Sequence, residues 1–254
     1  MVQEAAPDTI GEHTFVQASR SLPPFVILAG GLAMRLRPLT ETVPKAMVLV
    51  LGKPFVDYQL RLLAAHGARK VVFCLQHLAK QIQDYVGDGS RYGLEVSYVL
   101  DGDQPMGTGG AVTKALPLVG EIFFILYGDS YLDIPSYRLV WERFQASGKD
   151  CLMTVYRNKN KGAASNVLFR DSRILMYNKK NPQPQMEHID FGLTMARPGA
   201  FAEFPDNPFD LAEVFQKTLA KDRLEGLELF VPFFEVGSLE GISDLENHLI
   251  RRKP

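Results

Sequence analysis

FVILAGGLAMRLRPLTETVPKAM, Phe25–Met47, opens with an apolar run, halts at Gly30-Gly31, and then carries Arg35 and, behind Pro44, Lys45. A short apolar run that stops at paired glycines reads as a buried parallel strand feeding a loop. Gly30 and Gly31 have no Cβ, so backbone N–H groups there can close on an anion just past the strand end at Leu28 and Ala29. Arg35 offers a planar fork for phosphate oxygens, and Lys45 a compact point charge. The combination, directly after an apolar strand, points to phosphate binding rather than to a glycine turn flanked by surface cations. No G-x-x-x-x-G-K-[ST] loop occurs, and no G-x-G-x-x-G opens a helix after the first strand, so two common nucleotide motifs are set aside.

Downstream, helix and strand signals alternate. Phe55, Leu60, Leu62, Leu63 and Ala64 give a helical pattern that closes at Gly67. KVVFCL is the next strand, Leu78–Val86 a second helix ending at Gly87, and LEVSYVL a third strand. Gly110–Leu116 opens another helix, and EIFFILYGD is the most apolar strand of the chain. This βαβα rhythm predicts an α/β fold with a Rossmann-like mixed, mainly parallel sheet and helices on both faces. In the second half DCLMTVY, NVLF and ILMY read as strands, the last two joined in a hairpin by Asp171-Ser172. Asp210–Leu219 reads as an amphipathic helix and Ile242–Ile250 as a closing one.

The chain has 254 residues, 46% of them hydrophobic, and a formal net charge of −1. That length suits one packed domain over residues 23–254, preceded by a polar extension over 1–22. The near-neutral balance gives no reason to expect nucleic acid or an acidic membrane surface as a partner. Cys74 and Cys151 both sit in apolar strand-like runs and read as buried reduced thiols. No signal peptide is visible, and no run approaches the roughly 18 apolar residues of a membrane span. The expected location is the cytoplasm; homo-oligomer formation is left open.

The opening segment resembles the signature of the sugar-1-phosphate nucleotidyltransferases, in which GG-x-G-T-R-L-x-P-L-T leads to a P-K pair. The resemblance continues through GKPFVDYQL (Gly52–Leu60), PMGTGGAVTKALP (Pro105–Pro117) and LYGDSYL (Leu126–Leu132). It resumes at HIDFGL (His188–Leu193) and FFEVGSLEGISDLENHL (Phe233–Leu249), in the family's order. Within the family it is similar to short bacterial heptose- and mannose-1-phosphate guanylyltransferases and muramate-1-phosphate uridylyltransferase. The resemblance implies the nucleotide-diphospho-sugar transferase fold, an NTP and a sugar 1-phosphate as substrates, Mg²⁺ as cofactor and pyrophosphate as leaving group.

Residue roles follow from that likeness. Asp129 ends the strongest strand, where carboxylates of a parallel sheet face the ligand crevice, and the family's Mg²⁺ aspartate falls on it. The second metal carboxylate falls on Glu235, where the family usually has Asp. Arg35 and Lys45 are implied at the triphosphate, and Lys179, with Lys180 as the fallback, at the sugar phosphate. Gly107, Thr108 and Gly109 resemble the loop that lies against base and ribose, although Thr108 could equally cap a helix. Asp190 and Gly192 match positions that touch sugar hydroxyls; His188 is as readily structural. Asp101, Asp103 and Gln104 compete for the base-reading position, with Gln104 carried among the nucleotide-binding residues. A carboxylate there would suit guanine, an amide uracil or thymine; GTP stands slightly ahead through the wider resemblance.

Ala33 and Met34 depart from the signature, and Met34 removes a hydroxyl that could meet phosphate. Two rival readings remain: a cytidylyltransferase of the same fold acting on an alcohol phosphate such as phosphocholine, and a non-catalytic nucleotide-binding subunit. The first would need an aromatic cage. Loss of Arg35, Lys45 or Asp129 would have favoured the second, and all three are present.

Overall fold

Phe25–Leu28 forms β1, buried along its length, at the centre of a computed structural model that describes residues 21–31, 36, 38–102, 104–160, 163–204 and 207–252. Residues 1–20, and with them most of the expected extension, lie outside the described residues. Leu22, assigned to that extension by sequence, is 4% exposed and packs in the core. In chain order the elements after β1 are β2 (Leu49–Val50), β3 (Lys53–Pro54), α1 (Phe55–Ala65), β4 (Lys70–Leu75), α2 (Ala79–Val86) and β5 (Glu95–Leu100). Then come α3 (Gly107–Ala115), β6 (Phe123–Tyr127), β7 (Ser130–Tyr131), α4 (Tyr137–Ser147), β8 (Cys151–Tyr156), β9 (Val167–Arg170) and β10 (Arg173–Tyr177). The rest are β11 (Ile189–Ala196), α5 (Leu211–Ala220), β12 (Leu224–Glu228), β13 (Phe234–Glu235) and α6 (Leu239–Arg251).

The main sheet has seven strands in the order β12-β8-β11-β6-β1-β4-β5. Pairings of β1 with β4 and β6, of β4 with β5, and of β8 with β12 are parallel. β11 alone runs antiparallel, between β6 and β8, so the expected mixed, mainly parallel sheet is present. Alternation along β1 divides the core. Phe25 and Ile27 face α1, α2 and α4, with Phe25 stacked on Phe124 at 4.5 Å. Val26 faces the other way, toward Ala111 and Val112 of α3 and Val214 and Phe215 of α5. Apolar residues on both faces are what helices on both faces require. No helix among the described residues is long and apolar enough to cross a membrane.

The β9–β10 hairpin turns at Asp171 and Ser172, both at positive φ (49° and 58°), a pairing that matches the twist of the flanking strands. α3 begins three residues earlier than its apolar pattern predicts, at Gly107. Glycines disfavour a first turn entropically, but the Phe209 carbonyl accepts the Gly109 amide at 3.0 Å and the Gly110 amide at 3.4 Å. A Cβ on Gly107 would overlap the Phe209 backbone, and one on Gly109 the Phe209 ring. α6 likewise starts early, at Leu239, because Ser238 caps it through a 3.1 Å bond from the Gly241 amide.

Candidate active site

The strand order reverses around β1: the chain steps out to β4 and β5, then returns to place β6 on the other side. Crevices outside the carboxyl ends of strands at such a switch point are where α/β sheets bind ligands. A cavity of about 270 Å³ opens there, lined by Leu28, Ala29, Gly30 and Gly31 from β1 and its loop. Lys45, Tyr127, Gly128 and Asp129 line the β6 side, and Cys74, Asp101, Pro105, Gly107, Thr108 and Ala111 the β4, β5 and α3 side.

The two glycines after β1 do different work. An added Cβ on Gly30 would crowd Gln76, at 3.2 Å from its Cβ and 3.3 Å from its nitrogen. On Gly31 it would meet nothing within 4 Å among the described residues. Gly128 is explained by packing: its amide donates to the Leu28 carbonyl at 2.8 Å, and a Cβ would overlap Ala29. That close approach sets β1 and β6 so that Asp129 enters the cavity wall. Asp129 takes a hydrogen bond and ion pair from the Lys45 ammonium, both side chains about one-fifth exposed. Arg35, the other expected cation, lies outside the described residues, as do Ala33, Met34 and Asp103.

Glu235 is brought to the same corner by a short antiparallel pairing. β13 runs beside β7 with Glu235 opposite Ser130, and the Val236 amide donates to the Asp129 carbonyl at 2.9 Å. α6 packs so closely behind it that a Cβ on Gly241 would overlap the Glu235 carbonyl. Two carboxylate residues on neighbouring rungs suit a hard cation that takes part of its shell from phosphate and water. Among the described residues no group of three or more His, Cys, Asp and Glu could hold a metal.

The expected sugar-side residues gather around Tyr127. Lys179 Nζ lies 5.8 Å from the Tyr127 ring centroid. Gly192 sits at φ +87° inside a bulge of β11 against β8, and a Cβ there would be 3.4 Å from the Tyr127 ring. Bulges of this kind re-aim side chains beside functional sites. The Asp190 amide takes up Asn166 Oδ1 and its carboxylate accepts the Gly192 amide, each at 3.0 Å. Burial pushes the Asp190 carboxyl above the ordinary aspartate range, Gly192 and Lys179 pull it back, and Asp210 adds to the rise. Burial likewise keeps the Tyr127 phenol protonated well past its usual value, reinforced by Asp190, Tyr177, Asp210 and Asp129. His188 is buried, pairs with Glu228 at 3.2 Å and is not among the residues lining this cavity.

Two expectations need correction. Gln104 is exposed and is not among the residues lining the cavity; of its rivals Asp101, which directly follows β5, is. Gly109 is buried against the Phe209 ring, and Thr108, on the cavity wall, accepts the Leu211 amide at 2.8 Å, so that its hydroxyl serves the start of α5 rather than capping its own helix. Tyr127, Cys74 and Ala111 were not singled out for the site by sequence, since each reads only as part of a strand or helix face. Burial, with the Asp101 charge, pushes the Cys74 thiol up to about 12, and Cys74 and Cys151 are both free and buried, as expected.

Residues 25–166 match the family described as Nucleotidyl transferase. An N-acetylmuramate alpha-1-phosphate uridylyltransferase from Neisseria meningitidis is 39% identical over 110 residues, covering 43% of this chain. A D-glycero-alpha-D-manno-heptose 1-phosphate guanylyltransferase from Aneurinibacillus thermoaerophilus is 26% identical over 215 residues, 84% of this chain and 92% of that one. The chain spans 48% of the length of the Neisseria enzyme, under half of it. An inositol-1-phosphate CTP transferase structure from T. maritima matches with a TM-score of 0.76 at 19% identity, covering 91% of this chain and 96% of that one. At that identity the likeness speaks to the fold, which is the Rossmann-like nucleotide-diphospho-sugar transferase fold the sequence led us to expect.

Proposed function

The chain belongs to the nucleotidyl transferase family, and from that premise we propose that it joins a nucleoside triphosphate to a sugar 1-phosphate in a Mg²⁺-dependent reaction, releasing pyrophosphate. The observation that carries the reading is the Lys45–Asp129 pair on the wall of a cavity at the switch point. A phosphate oxygen of the sugar 1-phosphate forms a bond to the α-phosphorus in line. The α–β anhydride bond breaks, and its electron pair leaves on pyrophosphate. The attacking oxygen is already ionised at neutral pH, so positioning and charge neutralisation do the work rather than a strong base.

Gly31 and Lys45 hold the triphosphate, with Arg35 assigned to the same task by the family signature. Lys179 receives the sugar phosphate, and Asp190 with Gly192 orients the sugar hydroxyls. Asp129 and Glu235 would hold Mg²⁺, which when bound neutralises charge on the phosphate oxygens. GTP is used ahead of UTP, dTTP and CTP, in keeping with the guanylyltransferase that aligns over most of both chains. The test is pyrophosphate release by the purified chain from a panel of nucleoside triphosphates and sugar 1-phosphates. Release with at least one pair, abolished by removing Mg²⁺, is expected; nucleotide binding without release from any pair would instead mark a non-catalytic subunit.

A further inference from the structure

Gly128 and Asp129 form the short turn between the end of β6 at Tyr127 and the start of β7 at Ser130. The carbonyls at the two ends of this turn share one donor. Gln59 Nε2 gives a hydrogen bond to the Tyr127 carbonyl at 2.9 Å and to the Ser130 carbonyl at 2.8 Å. Carbonyl oxygens only accept, so the side-chain amide must face them with its nitrogen, and both of its N–H groups are spent on the turn. Gln59 Oε1 is buried and has no hydrogen-bond partner among the described residues. An acceptor left unpaired is costly, so what this side chain contributes is its two donors.

Gln59 stands in an apolar stripe of α1. Phe55 and Leu62, one helical turn to either side, belong to the same buried cluster as Tyr131 of β7 and Val236 after β13. Gln59 itself is 2% exposed, and a polar group so deep is unfavourable unless it is hydrogen-bonded. The rung it fixes is shared by both carboxylate residues of the candidate metal site. Ser130, whose carbonyl it holds, pairs with Glu235 across β7 and β13 and gives its hydroxyl to Asp129 Oδ1 at 3.4 Å. The Gly128 amide on the Leu28 carbonyl and the Val236 amide on the Asp129 carbonyl also anchor the turn, but backbone to backbone. Of these anchors Gln59 is the one made by a side chain.

We propose that Gln59 is a positioning residue for nucleotidyl transfer: by clamping both ends of the turn it sets the Asp129 and Glu235 carboxylates at the spacing that takes up Mg²⁺ with the nucleotide. This rests on the nucleotidyl-transfer reading. Without the clamp the Tyr127 and Ser130 carbonyls lose a buried donor, the turn relaxes, and the two carboxylates no longer converge from one rung. A residue that orients metal ligands from behind tunes metal affinity without touching the ion. The β1 loop, which takes the triphosphate, is not part of the clamp.

Calorimetric titration of the full chain with GTP, UTP, dTTP and CTP, each with Mg²⁺ and again with EDTA, tests this. The readout is the gain in nucleotide affinity that Mg²⁺ gives, which packing alone does not move. Gln59→Met fills a similar space and offers no donor; its Mg²⁺ gain should fall about tenfold, with affinity in EDTA unchanged. Gln59→Asn keeps an amide one methylene short, so it serves one carbonyl at most. It should show a smaller fall, and it covers the case in which Gln59→Met does not fold. Leu60→Val, a loss of α1 packing that leaves the clamp intact, should lower the melting temperature and keep the Mg²⁺ gain. An unchanged gain in the folded Gln59 variants, or an equal fall in Leu60→Val, would overturn the assignment. If the gain falls as expected and the wild type releases no pyrophosphate with any sugar 1-phosphate, the transfer reading fails while the clamp stands. A wild type whose nucleotide binding is absent or indifferent to Mg²⁺ would sink both.

Discussion

Lys45 and Asp129 hold each other on the cavity wall, so each governs the charge the other presents. Both are about one-fifth exposed, and an ion pair that water reaches contributes about 1 kcal/mol or less to stability. Asp129→Asn should therefore leave the melting temperature nearly unchanged and, as the loss of a metal ligand, cost at least ~100-fold in kcat. Near-normal turnover in that variant would remove Asp129 from the metal. Glu235 carries one methylene more than the family's usual Asp. Glu235→Asp should stay active, whereas Glu235→Ala should raise the Mg²⁺ concentration for half-maximal rate about tenfold or more; an unaltered Mg²⁺ requirement would exclude Glu235 as a ligand. Gly30, Gly31 and Asp129 could be placed on the cavity wall from the sequence because each sits within a few residues of the end of β1 or β6, and Lys45 because Pro44-Lys45 closes the same loop. Asp101 was not separable from Asp103 and Gln104, because its place on the cavity wall depends on where β5 stops.

At the scale of elements, α3 and the segment before α5 are locked together. Gly109→Ala would push a methyl into the Phe209 ring, and overpacking of this kind typically costs about 1–3 kcal/mol. That corresponds to a fall in melting temperature of roughly 2–12 °C in a chain of this size; no fall would mean that Phe209 yields freely. The sequence showed the glycines but not their neighbour, which lies about a hundred residues away. It likewise gave no reading of α4 or of most of β11, whose boundaries depend on packing between distant parts of the chain. On α1, Asp57 is 4% exposed and accepts Arg61 at 2.7 Å and Tyr92 at 3.1 Å. Burial acts to raise its pKa, but the Arg61 and Tyr92 bonds outweigh it, and the carboxyl sits below the usual range. A depressed folded pKa gives stability that is complete above the unfolded value of about 3.9 and lost as pH falls through the folded value. The melting-temperature gap between wild type and Asp57→Asn should therefore be widest near pH 7 and narrow below pH 4. A gap independent of pH would show that Asp57 acts by shape alone.

Across the whole molecule, the βαβα rhythm of the first half fixed β1, β4, β5 and β6 in the sequence, and with them the switch point that makes the cavity. The second half closes the site from a distance: β11 brings Asp190 beside Tyr127, and β13 brings Glu235 beside Ser130. Those convergences come from a bulge and a two-residue pairing, which no hydrophobic period announces. The central claim is that one cavity bonds the α-phosphorus of a triphosphate to the phosphate of a sugar. Mass analysis of the products tests it most directly, using GTP labelled with ¹⁸O on the α-phosphoryl group, Mg²⁺ and a mixture of sugar 1-phosphates. The account predicts a guanosine diphospho-sugar that carries label on the guanosine-side phosphate and none on the sugar-side phosphate. Label found only in GMP or unreacted GTP, with no diphospho-sugar formed, would contradict it.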